Sequence, residues 1–347
     1  MVLPTRWRTT MSWKDIFKSK SPKAKPDPRV RWFGKLPTYA DYYSSPADAD
    51  WVVEFNDWLM KGCELYLGRI REHGGATRLP SAACVLRLPK SGMTVLAAIQ
   101  DYGGDMRGRP FPLALYAGVP TASWAGPTSA LVLDALHATR QLTDLRNHVT
   151  RFCNAPGRLD DVLGDRELEL ASFTTETEDA SWEGAAGSLS LRAWFAGAQP
   201  CLKLDNVDDW YRLMSQWGSS IVQLESATFT PTLCLPVVMG IPMDVQIPGW
   251  LRWLERRMDL KRRMLSVLLC KDLSDGTGRL IVIAREVSAE DYLLLTALSG
   301  TLPYVDDACA LMPIEGGEPD MGTRLTDDGD GCAPETWLEF VNASVSA

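Results

Sequence analysis

Two apolar, β-prone stretches, residues 83–88 and 94–100, are separated only by a short linker containing Pro89-Lys90-Ser91-Gly92. Apolar runs this close together, bounded by Pro and Gly, predict a β-hairpin. A hairpin joins antiparallel neighbours, whereas parallel neighbours need a crossover of roughly a dozen residues or more. A sheet built on this pair is therefore not a doubly wound parallel one. A third strand is expected from Phe111 to Ala117, after the Gly-rich loop Asp101–Pro110. The arrangement recurs at 264–270 and 279–285, joined across Ser274-Asp275-Gly276-Thr277-Gly278. Further strands are expected at 30–36, 188–195 and 232–239.

Helical periodicity is clearest over 50–72, where Trp51, Phe55, Trp58, Leu59, Gly62, Tyr66 and Ile70 share one face. Residues 128–150 carry a second stripe, from Leu131 through Ala135, Ala138 and Leu142 to Val149. Shorter helices are expected at 158–170, 207–217, 249–263 and 288–298, the last with Ser288 and Asp291 spaced as a capping box. Residues 174–187 are polar and acidic and are expected as a loop. Hairpins interleaved with helices predict an α+β fold: a mixed or antiparallel sheet flanked by helices, with a second, smaller α+β unit.

A chain of 347 residues suits one large or two modest domains. Four segments are expected. Residues 1–28 form a basic, flexible arm, with Met11 as a second candidate start. Residues 29–220 form the first domain and 221–314 the second unit. Residues 315–347 form an acidic, flexible tail ending in an apolar patch that includes Trp337. The order strand, helix, hairpin, helix occurs from about residue 30 and again from about 232, with Trp51 and Trp58 loosely matched by Trp250 and Trp253. That order fits an internal duplication, provided that the two halves share a topology.

Charge narrows the function classes. The net charge is −8, yet residues 1–35 alone carry +8, which leaves −16 on the remainder. An acidic body argues against nucleic acid as the main ligand. No apolar run approaches the ~20 residues of a membrane helix, and the first residues lack a signal-peptide core, so a cytoplasmic protein is expected. The eight cysteines are scattered without a CxxC pair, several within apolar runs, which suits reduced thiols in a core. The three histidines have no ligand spacing to them. His137 and His148 lie eleven residues apart on one helix, so no metal site and no cofactor are expected.

Three stretches stand out as motifs. The first is Trp32-Phe33-Gly34-Lys35-Leu36-Pro37-Thr38-Tyr39-Ala40-Asp41-Tyr42, the second Asn56-Asp57-Trp58-Leu59, and the third Asp105-Met106-Arg107-Gly108-Arg109-Pro110-Phe111-Pro112-Leu113. They set Lys35, Asp41, Asp57 and Arg109 among aromatics, and charges beside a core need partners. Three readings follow: a structural ion-pair network pinning the first strand to helix and sheet, a site for a small ligand or partner, or acid–base chemistry. Gly34-Lys35 lacks the upstream glycine and following Ser or Thr of a P-loop, and the glycines of 103–109 lack the strand-to-helix setting of a nucleotide fingerprint.

Together, and with Ser188–Phe195 as a weaker fourth match, these stretches resemble the TagF/ImpM family over roughly residues 31–217. Ala40 stands where the family has glycine, and Tyr42 where it has phenylalanine. Residues 221–347 have no counterpart. The resemblance implies an adaptor associated with type VI secretion, a post-translational regulator (repressor) that binds a protein partner, such as a forkhead-associated scaffold. Its contact surface would include Lys35 to Tyr43, with Tyr39, Tyr42 and Tyr43, and exposed parts of the 50–72 helix. Two other roles stay open. One is a structural subunit of a contractile injection or secretion assembly, docked through Trp13, Ile16 and Phe17 of the N-terminal arm and through Trp337. The other is a hydrolase using Asp41 or Asp57.

Overall fold

The expected hairpin forms. Strands β3 (Ala82–Arg87) and β4 (Met93–Gln100) pair antiparallel along their lengths, from Ala82 opposite Ile99 to Arg87 opposite Thr94. The computed structural model describes residues 27–73, 79, 81–121, 128–152, 162–164, 166–168, 175–202, 204–225, 232–258, 265–270, 277–296, 305–308 and 333–343. Trp13, Ile16 and Phe17, the rest of the arm to residue 26, most of the 158–170 segment and the acidic stretch 315–332 lie outside these residues.

The fold is α+β. Around the hairpin lie β1 (Asp27–Gly34), β2 (Tyr43–Ser44), β5 (Leu113–Pro120), β6 (Thr232–Val238), β7 (Ser266–Cys270), β8 (Thr277–Ile283) and β9 (Val305–Asp307). They build a nine-stranded sheet in the order β2-β1-β5-β4-β3-β7-β8-β6-β9. Every neighbouring pair is antiparallel except β6 with β9. The strands expected after residue 221 join the first half through β3 and β7, where Val85 faces Val267 and Cys84 faces Leu268. Both halves thus share one sheet.

Among the described residues the helices are α1 (Asp50–His73), α2 (Thr128–Phe152), α3 (Thr175–Ser188), α4 (Leu191–Leu202), α5 (Val207–Glu225), α6 (Met243–Glu255), a 3-10 helix (Ala289–Leu295) and α7 (Trp337–Asn342). Two expectations are corrected. Residues 188–195 are not a strand: from Leu191 the chain is helical, and Leu191, Trp194, Phe195, Ala198, Cys201 and Leu202 form its buried stripe. The alternation of Ser188-Leu189-Ser190-Leu191 suggests a strand, but the apolar spacing beyond it is helical. The expected loop at 174–187 is α3, held to the core by Trp182 and Ala186.

Alternate residues of the central strands feed two cores, as the two-residue period of a strand requires. On one face Val85, Leu96, Leu115, Val267 and Val282 meet α2 and α4–α7. On the other, Cys84, Ala97, Tyr116, Leu268 and Ile281 meet α1 and the 3-10 helix. Helix α1 therefore lies on the opposite face from α6, its supposed repeat. The first half also inserts β5 between β1 and the hairpin, whereas β6 pairs β8 directly. These are different topologies, and the order similarity does not reflect a shared one.

Candidate functional site

The first and third motifs meet at one end of the sheet. Residues 35–42 form the turn that leaves β1, and residues 101–112 lead into β5. Since β1 and β5 are neighbours, pairing Trp32 with Leu115 brings the two loops together. Gly34, with φ near +153°, allows this approach: a Cβ there would collide with the Pro112 carbonyl. Gly104, at φ +86°, makes the corresponding tight turn, and a Cβ would meet the Arg109 carbonyl at 2.5 Å.

Asp105 is the hub. Its side chain is fully buried, yet every bond it makes is to a donor. Oδ1 accepts from the backbone N–H groups of Arg107 (2.9 Å) and Arg109 (3.0 Å), and Oδ2 from Nε of Arg109 at 2.7 Å. The Lys35 ammonium stands 3.4 Å from the same oxygen. Burial alone would raise this carboxyl. The backbone donors of Arg109 and Arg107, then the Arg109 side chain and Lys35, outweigh it and hold it down to about 2. Arg109 also donates to the Ala40 carbonyl at 2.8 Å and approaches Asp41 at 3.6 Å, and the Met106 N–H donates to the Tyr39 carbonyl at 2.9 Å. The network thus clamps loop to loop.

Of the four charged residues expected to act together, Lys35, Asp41 and Arg109 do meet. Asp57 does not: it lies on the exposed side of α1, paired with Lys61 one turn on at 2.6 Å. The residue missing from that set was Asp105. Its position four residues before Arg109, between glycines, was the available signal. The three tyrosines also separate. Tyr43 is buried and stacks on Trp32 and Tyr39, and Tyr39 is half-buried. Tyr42 is 40% exposed, stacked on Phe33, edge-on to Phe111 and with the Lys35 ammonium 4.8 Å from its ring centre.

Tyr42, Lys35, Arg109 and Phe111 form one wall of a cleft of about 360 Å³. The other wall is the C-terminal half of α1, through Cys63, Glu64, Leu67, Ile70 and Arg71. Helix α1 is fixed in place by its own contacts. Gly62 lets it pack on Tyr292 of the 3-10 helix, the Trp58 indole donates to the Ser288 carbonyl at 2.8 Å, and Glu54 accepts from the Lys90 and Ser91 backbone in the β3–β4 turn. The cleft offers apolar, aromatic and cationic surface. It offers little for covalent chemistry: burial pushes the Cys63 thiol up to about 12, so it is a neutral thiol near pH 7. Asp105 is ionised with its oxygens occupied. Trp337 is far from being a free docking segment: it is wholly buried against Trp194 and Trp250 of its own chain. Among the described residues no group of acids, histidines and cysteines has metal-binding geometry. None of the described helices is long and apolar enough to cross a membrane.

No family model matches the chain, and no curated protein does. Among solved structures, PA0076 from Pseudomonas aeruginosa PAO1 is 19% identical, with a TM-score of 0.31 over 42% of this chain and 64% of that one. The likeness thus spans under two thirds of that protein, and at this score it constrains neither fold nor role.

Proposed function

We propose that this chain is a cytoplasmic adaptor associated with type VI secretion, which regulates by binding a protein partner and carries out no catalysis. The observation that carries the reading is the cleft between the Lys35–Tyr42 turn and α1. The motif resemblance implied a contact surface made of these two segments, which follow one another in the chain, and they line one concavity. Its composition suits recognition. Tyr42 and Arg109 are residue types that anchor interfaces, and they are held before binding by ring stacking and by Asp105, which lowers the ordering cost of association.

The partner class implied by the motifs is a forkhead-associated scaffold of the secretion machine. The test is calorimetric titration of the full chain with a purified forkhead-associated scaffold protein of a type VI secretion system. Binding is expected to weaken at least about tenfold for Tyr42→Ala and for Arg109→Ala, a loss of ~1.4 kcal/mol or more each. Circular dichroism should show the fold retained. Absence of binding by the parent chain, or equal binding by both variants, would overturn the reading.

A further inference from the structure

The C-terminal helix α7 is seated like a ligand. Trp337, Phe340 and Val341 are at most 1% exposed and enter a pit in the helical layer. The Trp337 ring centre lies 4.8 Å from that of Trp194 and 5.2 Å, edge-on, from that of Trp250. Phe340 sits 5.1 Å from Trp210 and stacks on Trp253. Gly249 is shaped to the indole, since a Cβ there would collide with Nε1 of Trp337.

Three observations describe this seat. First, the principal packing neighbours of α7 are the helices α3, α4 and α6, and no strand contributes a comparable contact. Second, α7 caps itself: the Thr336 hydroxyl accepts from the Glu339 N–H, and the Glu339 carboxylate accepts from the Thr336 and Glu335 N–H groups. The helix brings its own N-terminal cap to the pit. Third, the Trp337 indole N–H is buried without an acceptor among the described residues, a group that regains a partner in water. Among the described residues, the hydrogen-bonded ties are these: Trp337 N–H donates to the Leu189 carbonyl, Leu191 N–H to the Glu335 carbonyl, Ala333 N–H to the Asp208 carboxylate, and Arg256 donates to Asn342. Anchors at i, i+3 and i+4 from an amphipathic helix in an aromatic groove are the pattern of helix-in-groove recognition.

We propose that the pit of Trp194, Trp210, Trp250, Trp253 and Gly249 is a recognition groove for short amphipathic helices bearing Trp, Phe and Val at i, i+3 and i+4. The chain's own residues 333–343 are its resident, exchangeable occupant. This site is separate from the cleft beside α1 and does not depend on the function proposed for it. In the intact chain the tether keeps the resident at high effective concentration, so an added helix competes poorly. Exchange between copies would join two molecules by reciprocal insertion.

The experiment uses the full chain with a protease site inserted between Gly316 and Gly317, cut after folding. The probe is a fluorescent synthetic peptide of residues 333–347, followed by anisotropy. At temperatures where the far-UV signal of the cut chain is unchanged, the probe is expected to exchange into the groove and saturate it. Peptides with Trp337→Ala or Phe340→Ala should compete at least about 100-fold less well, as expected for emptying a buried aromatic seat. A Leu338→Ala peptide should lose less than about tenfold, since that side chain is only half-buried. The uncut chain should take up the probe at least about tenfold less well. Four results would overturn the proposal: collapse of the fold on cutting, exchange only on melting, equal competition by the Trp337→Ala peptide, or equal uptake by cut and uncut chains.

Discussion

Replacing Gln246 with leucine tests whether one buried amide holds the β6–α6 connection. Gln246 is fully buried and makes all four hydrogen bonds its amide allows. Oε1 accepts from the Trp194 indole at 2.8 Å and from the Val238 N–H at 2.9 Å, while Nε2 donates to the Val238 and Ile241 carbonyls, each at 2.9 Å. Gln246→Leu keeps the volume and takes the amide away from four groups. Ile241 is half-exposed, so water can take its carbonyl. The Val238 carbonyl keeps the Ile241 N–H at 3.2 Å, so the buried Trp194 indole N–H and Val238 N–H remain, two groups at ~1–3 kcal/mol each. The added apolar burial offsets ~2 kcal/mol. The expected net loss is about 2 kcal/mol, at most ~4, and a melting point lower by about 4 °C at roughly 2 °C per kcal/mol for a large chain. Urea unfolding followed by tryptophan fluorescence should show a lower midpoint with an unchanged slope. Gln246→Glu adds a sign check. Burial and two facing carbonyls favour the protonated acid, so its folded pKa should lie above the ordinary ~4.3. Its deficit against the parent should then be smallest below that value and widen as pH rises. No loss, or a gain, for Gln246→Leu, at constant slope, would refute the reasoning, because it would mean that the stranded groups find other partners.

Two further outcomes concern the site. Asp105 titrates below the ordinary carboxylate value, so its stabilisation is present above about 4 and is lost as pH falls toward about 2; the stability gap between the parent and Asp105→Asn should be constant near neutrality and close over that interval, as read from urea midpoints against pH. Asp57→Asn removes only an exposed pair with Lys61, so it should change stability by less than ~0.5 kcal/mol and leave scaffold binding unaltered, as measured by melting and calorimetry.

The sheet was largely legible because its strands are short apolar runs bracketed by turn residues, as in the pair around Pro89–Gly92. Helix α1 was legible from its aromatic stripe. What escaped were features set by distant partners. Nothing local in Ala82–Arg87 or Ser266–Cys270 says that these strands pair, since both are apolar but for Arg87 and Ser266 and would suit many neighbours. Helix α3 escaped because few of its residues are apolar and its anchor, Trp182, donates to the Val245 carbonyl far along the chain. In the site, Lys35, Asp41 and Arg109 were legible as charges among aromatics that needed partners. Asp57 was misplaced with them, although Lys61 at helical spacing offered it a simpler partner. Gln246 carried no sequence signal, because an amide is as ordinary on a surface as in a core.

The seam between β3 and β7 decides how this protein can be taken apart. Ending the chain near residue 220 would remove β7 and turn β3 from an interior strand into a free edge. That edge would present the unpaired amides and carbonyls of Ala82–Arg87, apolar on both faces and without proline, its one charge standing at the far end. Such a strand is a template for other chains, of the kind natural sheets avoid exposing. A truncated first half would therefore stick to itself, and to much else in a lysate. Its behaviour in a capture experiment would report on that adhesive edge, whereas point changes on the rim of the cleft leave the seam closed and let the surface speak for itself.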